Sequence, residues 1–158
     1  MRARLPLLTR LFAAGVCLGL PALVEAATYY VSKSGSDNNS CTTAQSPNGN
    51  TKRTIRAGLA CLSAGDTLVA HAGTYNEGNL NPPGGNSWSA PVTITVASGE
   101  TAIVQPPGGT LYGFDTVSSY LIFQNLVIDG SLAPPDDLNL GNNAAIRLAS
   151  YANETLPV

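Results

Sequence analysis

The chain has 158 residues, a formal net charge of −2, 11% charged residues, 16 Gly and 11 Pro. So few basic residues on a mildly acidic chain argue against nucleic acid as a partner. The length allows one domain with a modest core, and the abundance of Gly, Asn, Ser, Thr and Pro points to short strands joined by many turns.

The first segment reads as a secretory signal. Arg2, Arg4 and Arg10 form a basic start, and residues 11–24 are apolar apart from Pro21. That run is short for a bilayer span, and Val24-Glu25-Ala26 gives a small-x-small cleavage site before Ala27, with cleavage one residue later fitting as well. A membrane anchor or a buried helix is the alternative. Cys17 leaves with the signal. The expected division is therefore 1–26 signal peptide, 27–65 an N-terminal strand, loop and capping helix, and 66–158 the first coils of a repeat. The mature part keeps Lys33, Lys52, Arg53, Arg56 and Arg147 as its basic residues, with no membrane contact after the signal is removed. The expected location is secreted, periplasmic or at the cell surface. In such an oxidising compartment Cys41 and Cys61 are expected to form a disulfide, two free thiols being the alternative; two cysteines with no nearby His make an incomplete metal site.

Thr28 to Ser32 is a β-rich strand, followed by a turn-rich loop around Gly35, Asp37, Asn38 and Asn39. Between Thr51 and Gly65 the period changes: Ile55, Leu59 and Leu62 recur at i, i+4, i+7, the stripe of a short amphipathic helix, with Thr51 or Thr54 as its N-cap and Gly65 at its end.

From Asp66 onward short apolar alternations recur. Leu68 and Ala70 make the first, Val92, Ile94 and Val96 the second, Leu121 and Phe123 the third, Ile146 and Leu148 the fourth. Secondary strands lie between them at 101–105, 111–114 and 126–128. A repeat of about 25 residues holding two or three strands is what one coil of a parallel β-helix requires. One coil cannot bury its inward residues; stacking coils about 4.8 Å apart pairs the backbone and builds an apolar column. The helix is placed to cover the first open edge, where a bare strand would template aggregation. No comparable cap follows residue 148, so the expected fold is an all-β right-handed parallel β-helix, a solenoid with an N-terminal capping helix, apparently truncated. A small β-sandwich is the alternative, and a helix placed before the repeats argues against it.

The segments Thr28-Tyr-Tyr-Val-Ser-Lys-Ser-Gly-Ser-Asp37, Gly65-Asp-Thr-Leu-Val-Ala-His-Ala-Gly-Thr-Tyr75, Ser87-Trp-Ser-Ala-Pro-Val-Thr-Ile94 and Ser119 to Gly130 together resemble the opening of secreted right-handed β-helix proteins of the pectate-lyase-like superfamily. The resemblance covers residues 28–131 and implies the fold. It implies a carbohydrate-facing role, since this opening is shared by family 9 pectate lyases, by relatives of chondroitinase B and by surface proteins.

Lyases of this kind eliminate across a uronic acid, with calcium on the sugar carboxylate and a Lys or Arg taking the proton. The resemblance thus implies an acidic polysaccharide as partner and calcium as cofactor. The candidate metal ligands are Asp129, Asp136, Asp137 and Asn139; the candidate base is Arg147, the one basic residue after Arg56, expected to point outward between Ile146 and Leu148. The plainer reading is a solvated loop with a surface Arg. His71 is the single histidine, so no triad or His-rich metal site is available, and it reads as a strand-edge residue. Tyr29, Tyr30, Tyr75, Trp88 and Tyr120 are aromatic faces for sugars, Trp88 first among them, although core packing is the commoner use. Pro82-Pro83-Gly84-Gly85 and Pro106-Pro107-Gly108-Gly109 are turns, with no phosphate-loop Lys after either. Asn38-Asn-Ser40 and Asn153-Glu-Thr155 match glycosylation acceptors.

The leading expectation is an N-terminal portion of an exported β-helix protein that binds or cleaves acidic polysaccharide, by calcium-assisted β-elimination in the full-length protein, the portion itself being inactive. The rivals are a non-enzymatic surface or adhesion scaffold and an inactive truncated product.

Overall fold

A computed structural model describes residues 25–133 and 144–149. The strands form three sheets, in every one of which all pairs run parallel. The first holds β1 (Thr28–Val31), β2 (Thr67–Ala70), β4 (Val92–Val96) and β7 (Leu121–Phe123). The second holds β3 (Gly73–Tyr75), β5 (Ala102–Val104) and β8 (Val127–Ile128), and the third β6 (Tyr112–Thr116) and β9 (Ala144–Leu148). Leu80 forms a parallel bridge to Phe114, which adds a rung to the third sheet. From β2 onward each pass of the chain therefore visits the first sheet, then the second, then the third, the strand order of an all-β parallel β-helix.

The register explains the core. Side chains alternate across a strand, so in-register parallel stacking places every second residue in one inward column. Tyr29, Leu68, Ile94 and Phe123 stack in the first sheet, Tyr75, Val104 and Ile128 in the second, Leu80, Phe114 and Ile146 in the third. Leu68, Ile94, Tyr75, Val104, Leu80 and Phe114 are fully buried. Phe114 and Phe123 meet edge to face at 4.8 Å, joining two columns in the interior.

Two expectations about the repeats are corrected. The opening strand is itself the first rung of the first sheet, since Tyr29 pairs with Leu68. The fourth alternation does not continue that sheet: Ile146 pairs with Phe114 and Leu148 with Thr116, so β9 lies on β6 rather than on β7. All three faces share the same inward–outward alternation, and spacing alone does not say which face a strand joins.

The helical stripe forms as expected, over a shorter span. Helix α1 (Ile55–Leu59) buries Ile55 and Leu59, and Leu62 beyond it is buried too. Thr54 is the N-cap, its Oγ1 accepting from the Ala57 N–H at 3.1 Å. The next free donors are met from a distance in sequence, because Glu77 accepts the N–H groups of Ile55 and Arg56 at 2.8 and 2.9 Å. Gly58 lies so near the first sheet that a Cβ there would fall 2.5 Å from Val31 Cγ1 and 2.6 Å from Leu68 Cδ1. Thr51 is instead buried in the connection. Beside it Lys52 pairs with β1, its N–H donating to Tyr30 O at 3.0 Å and its carbonyl accepting from Ser32 N at 2.9 Å. This strip covers the free edge of β1. The buried Lys52 ammonium donates to the carbonyls of Asp37, at 3.0 Å, and of Asn39, fastening the preceding loop. Cys41 and Cys61 are disulfide-bonded with Cα atoms 5.5 Å apart, tying that loop to the end of the helix.

Candidate functional site

Trp88 sits at the tip of a small reverse turn on the connection between Leu80 and β4. Ser87 and Ala90 form an antiparallel bridge, with Ala90 N donating to Ser87 O at 3.1 Å and Asn86 N to Ala90 O at 3.2 Å. The glycines at its base are needed for close approach. A Cβ on Gly84 would lie 2.9 Å from Ser119 O, and one on Gly85 would lie 2.5 Å from Ala90 O. Gly85 N donates to Ser119 O and Val92 N to Tyr120 O, each at 3.0 Å, so the turn is fastened to the residues entering β7. Tyr120 adopts a left-handed backbone with φ +56°, which costs about 1–2 kcal/mol for an L-residue with a Cβ. In that conformation its ring meets the Trp88 ring edge to face, 5.4 Å apart at 88°. Trp88 keeps 70% of its surface exposed. It lines an open cleft of about 810 Å³ together with Ser118, Tyr120, Leu121, Phe123 and Ile146.

Arg147 stands outside the third sheet, as its place between Ile146 and Leu148 required. It is in register with Asp115 and grips it with two bonds, Nε to Oδ1 at 2.8 Å and Nη2 to Oδ2 at 2.6 Å. Its guanidinium lies 4.3 Å over the Tyr112 ring. The hydrogen bond from Arg147 holds the Asp115 carboxyl below the usual carboxylate value, although burial opposes it. A guanidinium in a fork-on-fork pair keeps its proton.

Asp129 ends a ladder with one residue per coil. Asn76, Gln105 and Asp129 follow the aligned Tyr75, Val104 and Ile128. Asn76 Nδ2 donates to Gln105 Oε1 at 2.9 Å, and Gln105 Nε2 to Asp129 Oδ2 at 2.8 Å. Ser131 N donates to Asp129 Oδ1 at 2.9 Å. The Ser131 backbone and side chain, with Gln105, hold this carboxyl below its ordinary value. Asp136, Asp137 and Asn139 lie outside the described residues. Among the described residues no group of three or more His, Cys, Asp or Glu side chains could hold a metal ion, and both Asp129 oxygens already accept protein hydrogen bonds. The described residues do not by themselves make a calcium site.

His71 follows β2 directly. Its Nδ1 lies 3.1 and 3.2 Å from the two Glu100 oxygens, and its ring stacks on Tyr30 at 6.0 Å. The Ala72 N–H and then His71 hold the Glu100 carboxyl below its usual range. Tyr29 and Tyr75 are buried, and the Tyr75 hydroxyl donates to His71 O at 2.9 Å, so neither offers a face to a sugar. Sequence reasoning missed Asp115 as the partner of Arg147. The signal was present: Phe114-Asp115-Thr116 has the same inward–outward pattern as Ile146-Arg147-Leu148.

No protein-family model matches the sequence, and no curated protein does. Among solved structures, XylC in complex with xylose matches 49% of this chain at 30% identity, with a TM-score of 0.44. Pectate lyase Pel9A matches 63% of this chain at 20% identity, with a TM-score of 0.48. The matched regions span 11% of the first protein and 27% of the second.

Proposed function

We propose that this protein is an exported right-handed parallel β-helix that binds polysaccharide, with Trp88 as a contact residue. The observation that carries the reading is Trp88 itself: a large aromatic ring, 70% exposed, on a turn that two close-packed glycines and a left-handed Tyr120 hold in place. Exposed aromatic faces on fixed turns are natural platforms for sugar C–H groups. Helix α1 acts as the cap of the first coil, supported by the burial of Ile55, Leu59 and Leu62 against the core. Export through the 1–26 signal to a periplasmic, surface or secreted location is supported by the Cys41–Cys61 disulfide, a bond of oxidising compartments.

Binding is favoured over cleavage because the one cation proposed as a base, Arg147, is committed to Asp115. Affinity electrophoresis of mature protein through gels cast with pectin or xylan tests the reading. Retardation by at least one polysaccharide, lost in Trp88→Ala, is the expected result; equal mobility in every gel would refute it. Elimination across a uronate creates an unsaturated product absorbing in the near ultraviolet, and none is expected on pectate with added calcium. Calcium-dependent product formation that Arg147→Ala abolishes would restore the lyase reading.

A further inference from the structure

The entrance to the first rung is built around a buried carboxylate. Asp66, 4% exposed, accepts the Ser63 N–H on Oδ2 at 2.7 Å and the Ala27 N–H on Oδ1 at 2.8 Å. Among the described residues the ion pairs are His71–Glu100 and Arg147–Asp115, so no described Lys, Arg or His side chain answers the charge of Asp66. A carboxylate buried on neutral donors alone is costly, and a cation set on one of its oxygens offsets that cost.

Glu25 and Ala26 are exposed, whereas Ala27 is half-buried and packed against the core, and its carbonyl accepts from Thr67 N at 2.9 Å. The chain thus joins the first sheet at Ala27, the residue expected to follow the signal. We propose that the α-ammonium of a mature chain beginning at Ala27 is the counter-charge of Asp66, so that removal of the signal completes the entrance to the first rung. The proposal rests on the export reading and adds to it the bond that is cut and the group that receives the new terminus. Hydrolysis of the Ala26–Ala27 amide takes up one water, leaves a carboxylate on Ala26 and turns the Ala27 N–H into an ammonium at the same place. No movement is needed, because that nitrogen already lies 2.8 Å from Oδ1. The opening beside it is lined by Glu25, Ala26, Thr28 and Gln45, of which only Glu25 is charged, and Glu25 leaves with the signal. Cleavage one residue later would remove the Ala27 nitrogen and carbonyl, and with them the partners of Asp66 Oδ1 and Thr67 N.

N-terminal sequencing of the protein exported on its own signal should return Ala27 as the first residue. Export with a start at any other residue would overturn the assignment alone; a chain neither cleaved nor exported would remove the export reading and this one with it. The charge is tested on two chains made without the signal, both with the disulfide closed, one beginning at Ala27 and the other at Ala26. The second keeps the Ala27 N–H and moves the ammonium outward by one residue, about 3.8 Å. The chain beginning at Ala27 should melt about 3–5 °C higher at pH 7, and the gap should vanish in Asp66→Asn. The two unsubstituted chains decide the matter by themselves: equal melting would overturn the ion pair, as would a gap that persists in Asp66→Asn.

Discussion

Gly58→Ala sets two effects of opposite sign against each other. In an unpacked helix, Ala in place of Gly is worth about 1 kcal/mol of added stability. Here the new methyl would fall 2.5 Å from Val31 Cγ1 and 2.6 Å from Leu68 Cδ1, far inside the ~3.5–4.0 Å at which carbon atoms attract. Val31 and Leu68 are both fully buried, so neither has solvent to move into. Overpacking of this kind costs about 1–3 kcal/mol, occasionally more. The clash therefore offsets the propensity gain and leaves a net loss of up to about 2 kcal/mol. The melting temperature should fall, by up to roughly 8 °C for a chain of this size. Circular dichroism melts and urea titrations of the mature protein read the difference. Val31→Ala combined with Gly58→Ala should cost less than the sum of the two single changes, because the first removes one of the atoms the second strikes. A melting temperature raised by Gly58→Ala would refute the seating of helix α1 on the first two rungs.

Other consequences follow from the same packing. Leu59, 4% exposed, should tolerate Ala at a loss of about 2–4 kcal/mol, whereas Leu59→Asp should block folding, measured by soluble yield and dichroism. Arg56→Ala, which among the described residues gives up the bond to Gly78 O, should cost about 1 kcal/mol; equal damage from Leu59→Asp and Arg56→Ala would contradict the buried stripe. Cys41→Ser opens a crosslink spanning 20 positions and should cost about 3 kcal/mol. A non-reduced peptide map should recover the two cysteines joined, and finding both as free thiols would end that account. Asp115 has its carboxyl held below the usual value, chiefly by Arg147. A lowered folded-state pKa means the contribution is complete above the unfolded value near 4 and lost as pH falls below it through the folded value. Asp115→Asn should therefore lower stability at pH 7 and flatten the acid limb below about pH 4; parallel acid limbs in both proteins would show that the pair contributes nothing.

The strands and the helix were legible because each rests on a local rule. Leu68-Val69-Ala70 and Val92 to Val96 alternate at period two since every second side chain enters the core, and Ile55, Leu59 and Leu62 share one face at helical spacing. The disulfide was legible from compartment and count. What escaped reading is the contact between one coil and the next. Arg147 and Asp115 are 32 positions apart, His71 and Glu100 29, Asn76 and Gln105 29, Gln105 and Asp129 24. Each separation is close to one coil, so every one of these polar residues has a neighbour fixed by stacking before any ligand arrives. That changes what a lone charged residue means in this architecture. Arg147 and Asp129 drew notice as candidates for chemistry because the resemblance implies a base and calcium-binding carboxylates, yet their partners Asp115 and Gln105 stood one coil earlier. Trp88 differs in kind: it projects from a turn rather than a rung. Its aromatic neighbour among the described residues, Tyr120, arrives at an angle of 88° and leaves it 70% exposed. The residue that stacking leaves uncovered, rather than the residue that carries charge, is the better guide to where this surface meets a ligand.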